Sequence, residues 1–470
     1  EMEKHREAAR TSWKGGKAPS LPVDLLALPR AAGWKGSEFR GYETLSIPDA
    51  RIVALAREQG QVESIAEGER GFLVLDRTPF YAESGGQIGD TGQIKTPDGS
   101  LAEVEDTQAP SPGLIVHFVT VLNGSIQKGS LVEAVVNPHT RAATMRNHTA
   151  THLLHAALKK VLGPQVQQAG SYVGPDRLRF DFNYPAHLTR EALDRVEDEV
   201  NEQILRNITV TKTEKPYDEA LSGGAIALFG EKYGDRVRVV AVPGYSQELC
   251  GGTHCAGTGD IGYLKLVSER GIAAGVRRIE ALTGMAAVLR SRSDARILAG
   301  VEELLKAQRD DVQETLVNVL ATQKAQSREL EKLKLKVAQL EMRGASPGQS
   351  AASTDEVDGV RLVVRRVAGL DRPGLRMLAD NLKREAGTAV VILASEAEGK
   401  VSVLAAVSAD LADRLDARVL IKDLAAVVGG GGGGNATLAE AGGKSPEKIP
   451  ELLDRAKQIV AHHLTAEPKR

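Results

Sequence analysis

Two short segments of this chain, far apart in sequence, carry side chains that belong together. His148-Thr-Ala-Thr-His152 sets two imidazoles four positions apart. On a helix, residues i and i+4 share one face, so both rings can point at one ion. Cys250-Gly-Gly-Thr-His254 begins 98 positions after His152 and adds a thiol and a third imidazole. Gly251 and Gly252 predict a loop or turn there. Three imidazoles and one thiolate suit zinc, so the fold must bring the two segments together. The first pair alone proves little. With His155 it makes an i, i+4, i+7 stripe, which also suits a semi-polar core face. A metalloprotease is excluded, because that motif needs Glu after the first histidine and position 149 is Thr. His155 and Cys255 stand close enough in sequence to compete as ligands.

The rest of the chain reads as an α+β multidomain protein. Residues 1–36 predict a linking helix and a connector. Residues 37–140 alternate in short apolar runs such as Gly71-Phe-Leu-Val-Leu75, separated by turns such as Pro97-Asp-Gly99, a small β-barrel pattern. Residues 141–285 mix helix and strand. Helices are expected over 143–161 and over 188–207, the second capped by Thr189, with a strand over 236–242. Residues 286–345 hold a 3-4 apolar spacing (Leu305, Val312, Leu316, Val319, Leu330, Leu333, Val337, Leu340). They predict a long helix or helix pair, either packed on its own domain or serving as a coiled-coil seam between copies. Residues 346–355 read as a linker. Residues 356–470 read as a small α/β domain ending in a helix over 446–464 capped by Ser445.

Five stretches resemble one family, in the order that family has them. His148-Thr-Ala-Thr-His152-Leu-Leu-His155, Glu248-Leu-Cys250-Gly-Gly-Thr-His254 and Gly271-Ile-Ala-Ala-Gly-Val-Arg-Arg-Ile-Glu280 are similar to the editing domain of alanyl-tRNA synthetases. Thr78 to Gly92 resembles the segment preceding it. Gly429 to Gly434, with Ala439-Glu-Ala-Gly-Gly443, resembles the C-terminal domain. The resemblance implies the C-terminal half of such a protein, with the N-terminal aminoacylation half as its partner. Glu1 to Lys14 looks like the helix joining the two.

The implied chemistry is hydrolysis of the ester between a wrong amino acid and the 3′ end of alanine tRNA. A site sized for alanine cannot reject glycine or serine well enough by one methylene or one hydroxyl, so a second, hydrolytic site is needed. The resemblance implies zinc held by His148, His152, Cys250 and His254. It also implies that Gln168 reads the seryl hydroxyl. Thr149 and Thr151 are further candidates, Thr151 being taken with Gln168 as a catalytic residue. No carboxylate beside the motifs stands out as a general base. Arg277 and Arg278 are expected at tRNA phosphates, one facing RNA and the other paired with a carboxylate such as Glu280. In the glycine run, Gly431 and Gly432 are expected to touch tRNA through bare backbone. Asn435 to Glu440 departs there from the family's commoner continuation. The run is not a phosphate loop: Gly443-Lys444-Ser445 supplies the end of one, but position 438 is Leu where Gly is required.

Charge gives this reading no bulk support, with 60 Lys and Arg against 62 Asp and Glu, so any basic surface must be local. Seven Phe, two Trp and eight Tyr are too few for a binder built on stacking platforms, and fit recognition of folded RNA by backbone and shape. Two cysteines near histidines, with apolar runs too short to cross a bilayer, point to the cytoplasm and away from membranes. A homodimer through the helical segment and C-terminal domain is expected. Two rivals share the motifs: a free-standing alanyl-tRNA editing protein, and a non-catalytic tRNA-binding or oligomerisation module with structural zinc.

Overall fold

Along Ser46–Arg57 (β1) and Leu114–Asn123 (β5) buried and exposed residues alternate, as expected of strands with one face on a core. The computed structural model describes residues 21–30, 33–227, 233–344, 352–397 and 399–465. It divides into two units, Glu1–Ala299 and Gly300–Arg470. The linking helix expected at the start of the chain lies outside the described residues.

In the first unit β1, Arg70–Leu75 (β2), Gly92–Lys95 (β3), Leu101–Ser111 (β4), β5 and Leu131–Val136 (β6) run in the order β6-β3-β4-β5-β2-β1. An added β6–β1 pairing closes this ring into the expected barrel. Ile52, Leu55, Leu73, Leu75, Ile94, Val104, Val119 and Val132 fill it. The single turn Val23–Leu26 (α1) adds Leu25 to a second apolar cluster with Phe72 and Val116.

Helix Pro138–Leu162 (α2) begins five residues earlier than expected. Asn137 caps it by accepting from the amides of His139 and Thr140, and proline occupies the first turn, where no amide partner is lost. Arg190–Leu205 (α3) is capped by Thr189 as expected, and buries Val196, Val200 and Ile204. Tyr217–Ser222 (α4) is a short helix. Strands Gln168–Val173 (β7), Leu178–Asn183 (β8), Leu264–Ala273 (β12) and Val276–Thr283 (β13) form an antiparallel sheet ordered β7-β8-β13-β12. Thr211–Pro216 (β9), Arg236–Val242 (β10) and Ser246–Leu249 (β11) form another. Helix α2 packs its buried Ala150, Leu153, Leu154, Ala157 and Leu158 into the cluster of Phe180, Phe182, Val200 and Ile279.

The helical segment is two helices, Gly284–Leu305 (α5) and Val312–Gly344 (α6). The break contains Lys306 in the left-handed region at φ 51°, which ends a helix. Leu316, Val319, Leu330, Leu333, Val337 and Leu340 are all exposed. No second helix covers that stripe among the described residues, so the coiled coil stays an expectation.

In the second unit Ala352–Val357 (β14), Val360–Ala368 (β15), Ala389–Ala397 (β16), Lys400–Val407 (β17), Gly431–Gly434 (β18) and Leu438–Gly443 (β19) form one sheet ordered β14-β15-β16-β17-β19-β18. Ala417–Val427 (α8) and Ile449–Thr465 (α9) cover one face, and Arg372–Ala386 (α7) with Leu335 covers the other. Two expectations need correction. The linker assigned to 346–355 contains most of β14, which pairs with β15 across Asp358 and Gly359, both at positive φ. Asp-Gly is the preferred two-residue hairpin turn, so the strand had a local signal. The last helix opens as a 3-10 turn, Pro446–Lys448, and Ser445 makes no side-chain cap. Among the described residues, no helix is long and apolar enough to cross a membrane.

Candidate metal centre

Helix α2 places His148 and His152 on one face, and the loop after β11 brings Cys250 and His254 to them. The four ligand atoms lie within 4.8 Å of one another. Cys250 Sγ is 3.4 Å from His148 Nε2, 102 positions away in sequence, and 3.2 Å from His254 Nε2. A metal with bonds of about 2.0 to 2.3 Å needs ligand atoms somewhat under 4 Å apart, a small contraction from this arrangement. The loop can approach because position 252 is glycine: a Cβ there would stand 2.0 Å from His148 Cε1.

Each imidazole is held from behind through Nδ1. His148 Nδ1 lies 2.7 Å from Gln87 Oε1. That oxygen also accepts the Thr253 amide at 2.9 Å, so it serves as an acceptor and His148 must donate to it. His254 Nδ1 meets Thr149 Oγ1 at 3.2 Å. His152 Nδ1 faces Glu248 Oε2 at 3.6 Å, and Glu248 Oε1 takes His155 Nδ1 at 3.0 Å. Such partners orient metal-binding histidines and fix which nitrogen faces the ion.

The electrostatics favour a thiolate. Burial works against charge on Cys250, but His148, His254 and His152 outweigh it and hold the thiol well below its usual range. Burial also opposes charge on His152, yet Glu248 and Cys250 raise it to about 9. For His254, burial and the neighbouring His148 push the ring well below the ordinary histidine value, leaving it neutral as a ligand must be. His155 and Cys255 do not join the cluster. His155 turns to Glu248, and Cys255 is buried with its thiol pushed up to about 11 by burial.

Three sequence expectations change. Glu248 is a carboxylate beside the motif, 3 % exposed and touching two histidines, where none was expected to stand out. Thr151 bonds back to the carbonyl of Asn147 at 2.8 Å, while Thr149 is the threonine that reaches the cluster. Both arginines are paired, and neither pairs with Glu280: Arg277 bonds Glu269, and Arg278 makes two bonds to Asp181 at 2.7 and 2.8 Å. Gln168 lies on β7 and donates to Ser171 Oγ at 3.1 Å. In the second unit Gly431 and Gly432 lie on edge strand β18. A Cβ at Gly431 would meet open space, whereas one at Gly432 would stand 2.0 Å from the Glu440 carbonyl. The close backbone approach at Gly432 is therefore to β19.

Gln87 is a second residue, after Glu248, that sequence reasoning missed, although it lies within the Thr78 to Gly92 motif. It reaches the cluster because the turn Ser84 to Gln87 docks on β7: Val173 donates to the Gly86 carbonyl at 2.7 Å, and Ile88 donates to the Val173 carbonyl at 3.1 Å. Arg141 locks the same segment to α2. It is 2 % exposed, its Nε lies 2.9 Å from both oxygens of Asp90, and it donates to the carbonyls of Gly41 and Pro79.

Comparison with known proteins adds the family context. Residues 237–280 match the threonyl and alanyl tRNA synthetase second additional domain, residues 359–462 the DHHA1 domain, and residues 1–140 the class II (A) tRNA synthetases. The alanine--tRNA ligase of Solibacter usitatus is 44% identical over 96% of this chain and 51% of its own length. That of Methylococcus capsulatus is 45% identical over 99% of this chain and 52% of its own. The chain thus spans about half the length of the curated relatives it matches. The C-Ala domain of Aquifex aeolicus alanyl-tRNA synthetase is 32% identical, covering 23% of this chain and 98% of that one, with a TM-score of 0.22.

Proposed function

The chain belongs to the alanine--tRNA ligase family, and from that premise we propose that it hydrolyses seryl and glycyl esters of alanine tRNA at a zinc site built from His148, His152, Cys250 and His254. One observation carries the reading: a thiol and three imidazole nitrogens from two distant segments converge within 4.8 Å, in a region that overlaps the second additional domain match. Three nitrogens and one thiolate favour zinc over harder cations. When bound, the ion would supply Lewis acidity to the ester. The chain's own residues do the rest. Gln87, Glu248 and Thr149 orient the three rings. Gln168, on the strand where the Gln87 turn docks, reads the seryl hydroxyl. Unit Gly300–Arg470 contributes tRNA affinity, and the homodimer, the N-terminal catalytic half and the cytoplasmic setting belong to the same proposal.

A second reading has its own support. Four protein donors fill a tetrahedral shell, which is the pattern of structural zinc. One assay separates the two: the intact chain is given serine-charged and alanine-charged alanine tRNA, before and after zinc removal by a chelator. Editing predicts release of serine, sparing of alanine, and loss of activity with the metal. Equal rates on both esters, or none on either while zinc is bound, would overturn it.

A further inference from the structure

Beside His254 opens a cavity of about 240 Å³ lined by Tyr42, Arg141, Met145, Lys212, Arg238 and Thr253 among others. Arg141 is neutralised by Asp90. Lys212 and Arg238 are different. Lys212 Nζ donates to the Cys255 carbonyl at 2.8 Å, and Arg238 Nη1 donates to the carbonyls of Cys250 and Gly252 at 2.9 and 2.7 Å. Arg238 also lies 4.1 Å from the centre of the Tyr42 ring. Among the described residues, no carboxylate stands within ion-pair distance of either cation. Glu214, which also lines the cavity, is exposed and forms no ion pair with them. Both cations are thus fastened to the metal loop through neutral oxygens and keep their charge for something else. Burial and the nearby Arg238 lower the Lys212 ammonium from its usual value, a cost that a bound anion relieves.

We propose that this cavity is an anion subsite for the 5′-phosphate of the substrate's terminal nucleotide, held while its ester stands at the four-ligand cluster. The proposal rests on the editing reading and adds a subsite to it. The cavity is smaller than a typical ligand pocket and suits a sugar-phosphate better than a whole nucleotide. Its lining by His254 and Thr253 places the phosphate next to the ligand loop, where a terminal ribose would bridge the two.

The test uses the intact chain and an acceptor-stem RNA hairpin ending in CCA, unmodified or with a neutral methylphosphonate as its last linkage. Binding is followed by fluorescence anisotropy for the natural protein, Lys212→Gln and Lys212→Arg. The neutral linkage should weaken binding to the natural protein about tenfold, the size of one charge-assisted contact. Lys212→Gln should weaken the unmodified RNA by a similar factor and become less sensitive to the linkage, Arg238 remaining in place, whereas Lys212→Arg should behave like the natural protein. Independent, multiplying losses from the two changes would overturn the subsite, as would a natural protein blind to the linkage. Tight binding of inorganic phosphate with RNA binding unaffected by Lys212→Gln would also overturn it, in favour of a free anion. Selective serine release persisting beside any of these negative results leaves the editing reading standing while the subsite fails.

Discussion

Gln87 holds His148 from behind: its Oε1 receives the Thr253 amide at 2.9 Å and lies 2.7 Å from His148 Nδ1. One amide oxygen therefore fixes both a ligand ring from α2 and the loop that carries the other ligand pair. Gln87→Leu should lower zinc affinity about 10- to 100-fold, the usual loss when an outer partner of a metal-binding histidine is removed. Gln87→Glu, which keeps an acceptor, should lose less. Competition against a chromogenic chelator measures both, and equal affinity in all three proteins would remove Gln87 from this role.

Gly252 gives a steric version of the same test. With a Cβ 2.0 Å from His148 Cε1 and 2.8 Å from Gln87 Oε1, Gly252→Ala must displace the ring or the loop. Zinc should be lost or held much more weakly, while the circular dichroism spectrum stays that of the natural protein. Alanine at position 251 is the control, since its nearest atom would be the Tyr42 hydroxyl at 3.9 Å. Full zinc occupancy in Gly252→Ala would contradict the packing.

The barrel should carry a pH dependence of its own. His117 is fully buried, with Nε2 2.8 Å from Thr78 Oγ1 and Nδ1 3.0 Å from the Leu73 carbonyl. Burial lowers it to about 4. An unfolded chain protonates this ring near pH 6.5, so below that the unfolded state binds the extra proton. The stabilisation from a neutral His117 is complete above pH 6.5 and is lost as pH falls towards 4, for a total on the order of 3 kcal/mol. Urea unfolding at pH 7 and pH 5 should show this loss in the natural protein and a smaller one in His117→Gln. Equal losses in the two proteins would show that the ring does not carry it.

The convergence of His148, His152, Cys250 and His254 was legible because such spacing is a local property of sequence: i, i+4 on a helix, and a glycine-bearing loop between Cys250 and His254. The barrel and most strands were legible from alternation. What surrounds the ligands was not. Gln87 reaches His148 from 61 positions away, through a turn whose docking on β7 no local pattern announces. Glu248 sits next to Leu249 in a short strand, and nothing in its immediate sequence marks it as buried. The arginine pair shows the same limit. Alternation correctly separated Arg277 from Arg278, but Asp181 stands directly across the sheet from Arg278, and Glu269 comes from β12. Both partners are set by register rather than by neighbours in the chain.

The contact between Arg141 and Asp90 bears on how this protein can be taken apart. Sequence patterning changes character near residue 140, an inviting place to cut. Yet a fragment beginning at residue 141 would carry a buried guanidinium stripped of its carboxylate and of two carbonyl acceptors, and a His148 stripped of its amide. Losing one member of a buried ion pair costs about 3–5 kcal/mol, a large share of a domain's whole stability. The portable module, for anyone grafting this site onto another scaffold, is the barrel and the helix-bearing region transplanted as one piece.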